Sequence, residues 1–249
     1  MKVFVSRNGE YKVEEEQLSR NRKGIIIPPG KVIRSGDSIK SQGVEYIAMD
    51  FDPAFFRGVS EKGAQTIDVK DSSYMVRMAG IVPGSRVLES GTGSGALTSA
   101  ILSAIKNPEG YLGIDHNGNS IKITKQNIRK WMNLEINILE EEFSNISTEI
   151  GRFDAILLDL PEPWSNVSVQ RGLLDSGKRI VTYLPNYDQV EKTVMEYEKN
   201  GFFHLETVEL IRREILVRDG ATRPSSEGLM HTAFISTFIK KSGSMVVLS

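Results

Sequence analysis

Three glycines at alternate positions, Gly91, Gly93 and Gly95, stand between a β-rich run ending at Glu89 and a helical stretch that starts near Ala96. A residue without a Cβ lets the backbone turn tightly and approach a ligand that any other residue would hold off. A dinucleotide fingerprint places its third glycine one position later, where this chain has Ala96. The spacing E-x-G-x-G-x-G from Glu89 to Gly95 is associated instead with S-adenosylmethionine, whose sulfonium is cationic and whose amino-acid tail requires amides and an acid. Asp115 ends the next β-rich run, roughly twenty residues after the last glycine, where a carboxylate can accept both hydroxyls of a ribose. A purely structural turn would explain the triplet alone; Asp115 at this distance favours a cofactor loop. Of Glu140, Glu141 and Glu142, two read as solvated charges, and Glu142, next to apolar Phe143, as an acid that meets an adenine amino group.

A second stretch with chemical content is Asp159-Leu160-Pro161-Glu162-Pro163-Trp164, which follows the fourth β-rich run. In an open α/β sheet the carboxyl ends of the strands form the ligand crevice, and two prolines stiffen a loop placed there. Asp159 can accept a hydrogen bond from the exocyclic amine of a nucleobase, and Trp164 offers a stacking face. The competing explanation, in which Asp159 caps the next helix and Trp164 is core, loses ground because a cofactor loop precedes it at the right distance.

The elements that must position these groups follow from periodicity. Before about residue 62 the chain reads as short strands and turns: Lys2 to Val5, a turn at Asn8-Gly9, Gly24 to Ile27, and Val44 to Ala48. From there β-rich runs alternate with amphipathic stretches, which predicts a parallel sheet flanked by helices. The runs are Arg86 to Glu89, Tyr111 to Asp115, Leu134 to Leu139, Phe153 to Asp159 and Arg179 to Tyr183. Leu97, Ile101 and Ile105 share one helical face, as do Ile121, Thr124, Ile128 and Trp131, and Val190, Val194 and Tyr197. Phe202 to Ile211 and His231 to Ile239 read as an antiparallel pair closing one edge of the sheet.

Gln65 with Lys70-Asp71, the stretch Val87 to Thr98, Leu158 to Trp164, Tyr183-Leu184-Pro185-Asn186 with Gln189, and His231-Thr232-Ala233-Phe234 occur in the order of a known family. Over roughly residues 60 to 240 the chain resembles the tRNA (adenine-58-N1)-methyltransferases of archaea and bacteria. The resemblance implies an α/β, Rossmann-like class I methyltransferase with a seven-stranded, mostly parallel sheet over residues 63–249, behind a small N-terminal β domain over residues 1–62. It also implies a homotetramer that uses S-adenosylmethionine to methylate N1 of an adenine in the tRNA T-loop, at position 58 and with a neighbouring adenine as a further target. The cofactor set it carries over comprises Gln65, Ile67, Glu89, Gly91, Gly93, Ser94, Gly95, Ala96, Leu97, Asp115, His116 and Glu142, with Asp159 both touching the cofactor and serving as the catalytic acid residue. The substrate set is Glu162, Trp164, Tyr183, Gln189, Arg213 and His231. The chain departs from the family at Val69, where proline is usual, at Glu141-Glu142, where a Gly-Asp pair is usual, and at His116-Asn117-Gly118. Two rival functions remain: a catalytically silent tRNA-binding partner subunit, and a methyltransferase for small molecules or proteins.

Composition narrows the rest. The 249 residues carry 31 Lys+Arg against 32 Asp+Glu, a net charge of -1, so any RNA contact must use local patches. Arg20-Asn21-Arg22-Lys23 is one candidate patch, and Arg212, Arg213, Arg218 and Arg223 form another. There are no cysteines, which excludes disulfide scaffolds, thiol catalysis and thiolate metal sites. His116, His204 and His231 stand singly, without metal-ligand spacing, so no metal is expected. Arg7 and Glu10 come too early for a signal peptide and no stretch is long and apolar enough to span a membrane, so a cytoplasmic protein is expected.

Overall fold

The computed structural model describes residues 2–7, 10–15, 24–28, 30–61, 66–226 and 231–244. The first sheet takes strands β1 (Lys2–Ser6), β2 (Tyr11–Glu15), β3 (Ile25–Ile26), β4 (Ser38–Ser41) and β5 (Val44–Asp50) in the order β3-β2-β1-β5-β4. Phe4, Ile25, Tyr46 and Ala48 form its core. Tyr46 and Ala48 lie two apart on β5 and so point to the same face, as strand alternation requires. β2 was not anticipated, because Lys12 and Glu14 mask its alternation. It forms because Lys12 buries its stem with its ammonium 5.0 Å from the Tyr46 ring. The expected Asn8-Gly9 turn and the Arg20, Arg22 and Lys23 patch lie outside the described residues.

The chain leaves this sheet at Asp50, and the short helix α1 (Phe56–Val59) already places Phe56 in the core of the second layer system, with Ile67, Met75 and Leu97. Helix α2 (Val69–Met78) follows. Its first turn is fixed by Asp68, whose side chain accepts from the Lys70 amide at 3.0 Å. Val69 occupies the first helical position, where proline is also at home, so the departure there leaves the helix start intact.

The second sheet is assembled from β6 (Val87–Ser90), β7 (Tyr111–Asp115), β8 (Asn137–Glu140), β9 (Phe153–Leu158), β10 (Leu174–Leu184), β11 (Phe202–Glu209) and a last strand at Phe234–Lys240. Helices α3 (Ala96–Ile105), α4 (Gly118–Met132), α5 (Val167–Leu173) and α6 (Tyr187–Lys199) connect them. Leu97, Ile101 and Ile105 of α3, and Ile121, Thr124, Ile128 and Trp131 of α4, are all buried on the expected faces. Between β11 and the last strand lies a small exposed hairpin, β12 (Ile215–Leu216) with β13 (Arg223–Pro224), which makes the last strand β14.

Strand order is β11-β14-β10-β9-β6-β7-β8, seven strands in all. The pairs β10/β9, β9/β6, β6/β7 and β7/β8 are parallel, and β14 runs antiparallel to both β10 and β11. The antiparallel pair of β11 and β14 closes one edge of the sheet as expected, with β11 outermost and β14 inside it. Six of the seven β14 side chains are buried, which suits a strand covered on both faces. Connections run from β6 toward β7 in one direction and toward β9 in the other, so the crevice opens at the carboxyl ends of β6 and β9.

Candidate active site

At that crevice the glycine loop and the segment after β9 are in direct contact. Gly91 has φ +86°, and a Cβ placed on it would stand 2.2 Å from the Asp159 carbonyl oxygen. The Asp159 amide in turn donates to Ser90 O at 2.9 Å. Glycine at 91 is thus what allows the two loops to close together. Asp115 organises the other side of the loop: its Oδ2 accepts from the amides of Thr92 at 2.9 Å and Gly93 at 3.2 Å, and from the Thr92 hydroxyl at 3.2 Å. Its Oδ1 accepts from the Asn117 amide at 2.9 Å, next to the start of α4.

Gly91, Gly93, Asp115, His116, Glu142, Phe143 and Asp159 line one cavity of about 250 Å³. His116 Nδ1 lies 4.0 Å from Glu142 Oε1, both at the exposed rim, while Phe143 supplies a buried apolar wall. Two acids and an apolar wall around one cavity beside a glycine loop are a donor set that fits S-adenosylmethionine. Asp159 caps no helix; the following 3₁₀ turn has Glu162 at its N-cap position. Its carboxyl is pushed up to about 7, mainly by burial and further by the Asp115 charge. Among the described residues no group of three His, Asp or Glu is placed to hold a metal, and no helix is long and apolar enough to cross a membrane.

Other expected cofactor residues stand elsewhere. Glu89 is completely buried behind the loop, its Oε2 accepting from Tyr111 at 2.6 Å and Thr98 at 2.8 Å, and burial raises its carboxyl to about 8. It does not line the cavity, and its Oε1 has no partner among the described residues. Ser94 bonds the Thr66 hydroxyl at 3.3 Å, Gly95 (φ +90°) is the N-cap of α3, and Leu97 is core. Ile67 and Ala96 line a separate cavity of about 310 Å³, together with Tyr11, Arg57, Asp68 and Arg212. Gln65 lies outside the described residues.

On the far side of Asp159 the site is tied by a network that sequence alone did not assemble. Buried Asp71 accepts from the Lys70 ammonium at 2.6 Å and from the Tyr183 hydroxyl at 3.2 Å, and Lys70 also donates to Thr232 at 2.7 Å. Burial and the Asp71 charge hold the Tyr183 phenol well above its ordinary range. His231 Nδ1 meets Glu209 at 2.6 Å and its Nε2 meets the Pro185 carbonyl at 3.0 Å, which raises its pKa. Gln189 donates to Pro161 O at 3.0 Å and so fastens the Asp159 loop to α6. Trp164 packs under the Lys192 ammonium, 4.5 Å from the ring, outside the cavity. Glu162 and Arg213 are exposed.

A mostly parallel seven-stranded sheet with one reversed interior strand, a glycine loop after its first strand and acids after the next strands defines a class I methyltransferase. The chain belongs to the family described as tRNA methyltransferase complex GCD14 subunit, whose model matches residues 50–237. A relative from Methanocaldococcus jannaschii, named tRNA (adenine(57)-N(1)/adenine(58)-N(1))-methyltransferase TrmI, is 30% identical over 94% of this chain and 93% of its own length. The crystal structure of tRNA (m1A58) methyltransferase TrmI from Aquifex aeolicus covers 96% of each chain with a TM-score of 0.75 at 20% identity. A SAM-dependent O-methyltransferase from Thermotoga maritima covers 98% of this chain and 94% of its own, with a TM-score of 0.81 at 19% identity, and shares the fold.

Proposed function

We propose that the protein transfers a methyl group from S-adenosylmethionine to N1 of adenine 58 in the T-loop of tRNA. The observation that carries this reading is Asp159: a carboxyl at the strand switch point, in contact with the glycine loop and raised to about 7 by burial. When bound, the cofactor supplies an electrophilic methyl on a cationic sulfur. Asp115 would hold its ribose, Glu142 and Phe143 its adenine, and the backbone of Gly91 and Gly93 would bring it close. Gln65, Ile67, Ser94 and Ala96 would serve its amino-acid end.

The target base must leave its stack to reach this depth. Asp159 accepts a hydrogen bond from the amine of the extruded adenine and so turns N1 toward the methyl group. No general base is needed, because N1 carries no proton near neutral pH. Burial that disfavours a lone carboxylate also strengthens its attraction for the positive charge that the adenine ring gains on methylation. Tyr183, held by Asp71, would form the side of the base pocket. Arg213, Arg218 and Arg223, on and beside the exposed hairpin, are available to RNA phosphates.

Self-assembly into a homotetramer is part of the proposal: Ile211, Ile215 and Val217 are each more than half exposed on one projecting arm, an apolar surface that a second copy would cover. A cytoplasmic location accords with a tRNA substrate. The test is incubation with labelled S-adenosylmethionine and unmodified tRNA, followed by mapping of the labelled nucleoside. N1-methyladenosine at position 58 is the expected product, and the M. jannaschii relative's name makes position 57 the second place to look. Label in another nucleoside, or in no tRNA at all, would overturn the assignment in favour of a different substrate or a silent partner subunit.

A further inference from the structure

At the carboxyl end of β10, three aromatic rings cluster. Phe234, buried at the start of β14, has the Tyr187 ring centroid 4.5 Å and the His231 ring centroid 5.0 Å from its own. Phe234 is covered, but Tyr187 is 75% exposed and the His231 side chain 46%. An aromatic side chain left that open beside a catalytic crevice needs an occupant more than a packing explanation.

The chemistry of His231 narrows what the occupant is. Both of its ring nitrogens face acceptors, the Glu209 carboxylate and the Pro185 carbonyl, so satisfying both contacts requires a proton on each nitrogen. No lone pair remains to bind a metal or take a proton, and what the exposed part of the side chain offers is a cationic ring. Cationic rings attract electron-rich aromatic faces. Asp188 and Glu191, exposed on the first turns of α6, disfavour a phosphate at this spot and leave a base as the complementary group.

Position fixes which base. Strand register pairs Thr182 with Leu158 and Leu184 with Phe234, so the backbone of Phe234, on which both exposed rings pack, lies about two strand spacings, or ~10 Å, from the end of β9 at Asp159. Gln189, two residues after Tyr187, touches the Asp159 loop through Pro161. Loop RNA is recognised by splaying its bases onto aromatic faces. We propose that Tyr187 and His231 form a stacking shelf for the nucleobase that adjoins the target adenine in the RNA strand. This rests on the reading of the substrate as tRNA, and it adds a contact outside the cavity that holds the cofactor.

The test uses the full chain and a T-arm stem-loop RNA with 2-aminopurine at either neighbour of the target adenine, with binding measured separately from methylation. Tyr187→Ala should weaken stem-loop binding about 10-fold, as loss of one base stack predicts, and relieve the fluorescence quenching seen with the parent. Tyr187→Phe should bind within about twofold of the parent, whereas Tyr187→Leu should follow the alanine variant, because the effect requires a π face. Affinity for S-adenosylmethionine, read by calorimetry, should be unchanged in all three. Equal binding by parent and alanine variant, or full rescue by leucine, overturns the shelf. So does a change of oligomeric state on gel filtration in the alanine variant, which would assign Tyr187 to an interface between copies. If the parent forms no N1-methyladenosine while the binding loss and quenching persist, the activity is wrong and the shelf stands as an RNA contact.

Discussion

Around the glycine loop the crevice wall is backbone: the amides of Thr92 and Gly93 converge on Asp115, and Gly91 meets the main chain of Asp159. On the Tyr183 side the wall is side chain, with Lys70, Asp71, Tyr183 and Thr232 drawn from three separate elements into one buried network. The first construction comes from one short loop and the carboxyl ends of two further strands, β7 and β9. The second exists only after the whole sheet has closed. A loop of amides is rigid by its own geometry, whereas a network of long side chains is held by its charges, so the two halves should fail in different ways when altered.

The largest effect is expected on the side-chain half. Lys70→Met leaves the Asp71 carboxylate, which is completely buried, without its ammonium. Breaking a buried pair from one side costs about 3 to 5 kcal/mol, visible as a lower midpoint in denaturant, and the cofactor affinity of the folded fraction should survive. A loss below about 1 kcal/mol would show that the network is not what holds α2 to β10. On the backbone half, Gly91→Ala should cost about 3 kcal/mol through strain at positive φ and the clash with Asp159. Calorimetry should then find cofactor binding lost together with activity, and retention of both would refute the close-approach role.

Asp159→Ala sits at the junction of the halves and separates them. Loss of one charge-assisted hydrogen bond to the adenine, about 1.5 to 3 kcal/mol, should lower turnover roughly 10- to 150-fold while cofactor affinity stays within a few-fold. If affinity for S-adenosylmethionine collapses instead, Asp159 belongs to the cofactor. The last effect concerns pH. The folded-state pKa of Asp159 is about 7 against an ordinary 3.8, so the fold disfavours its ionised form. The protein therefore loses stability from this group as pH rises from about 4 to about 7, and the loss is complete above that range. Asp159→Asn should remove the loss and be more stable than the parent at pH 8, with almost no difference near pH 4, as denaturant midpoints at the two pH values would show. Parent turnover should rise with pH to a plateau above about 7, because the carboxylate form does the work; a flat profile would count against it.

The same contrast decides what could be read from the sequence. Gly91, Gly93, Asp115 and Asp159 were visible because strand ends in a parallel sheet share one crevice, and local glycine spacing needs no tertiary information. Glu89 was read as a cofactor acid from its place in the motif, but side chains alternate along a strand, and at this position the carboxylate turns inward to Tyr111 and Thr98. Helix α2 went unread because Asp68, its cap, looks like any acid until Lys70 donates to it. The pairing of Asp71 with Tyr183, 112 residues apart, has no local signature, and neither does the clamp of His231 between Glu209 and Pro185. Resemblance pointed to Asp71, Tyr183, Pro185 and His231 but not to Glu209, and only tertiary structure shows which of them touch.

The reversed strand β14 also sets an order of assembly. It pairs on both sides, with β10 and with β11, yet it is the last strand of the sheet to be synthesised. At about 5 to 20 residues per second, the ribosome reaches Phe234 roughly 4 to 15 s after Asp159. During that interval the chain from β6 to β9 can already close its glycine loop. β10, however, presents an open edge with Ile180, Val181 and Leu184, which are wholly buried in the finished sheet. Until β14 slots in, a nascent chain has its glycine loop but not the finished sheet beside β10, and its open edge is where a chaperone or a misdirected strand would engage it.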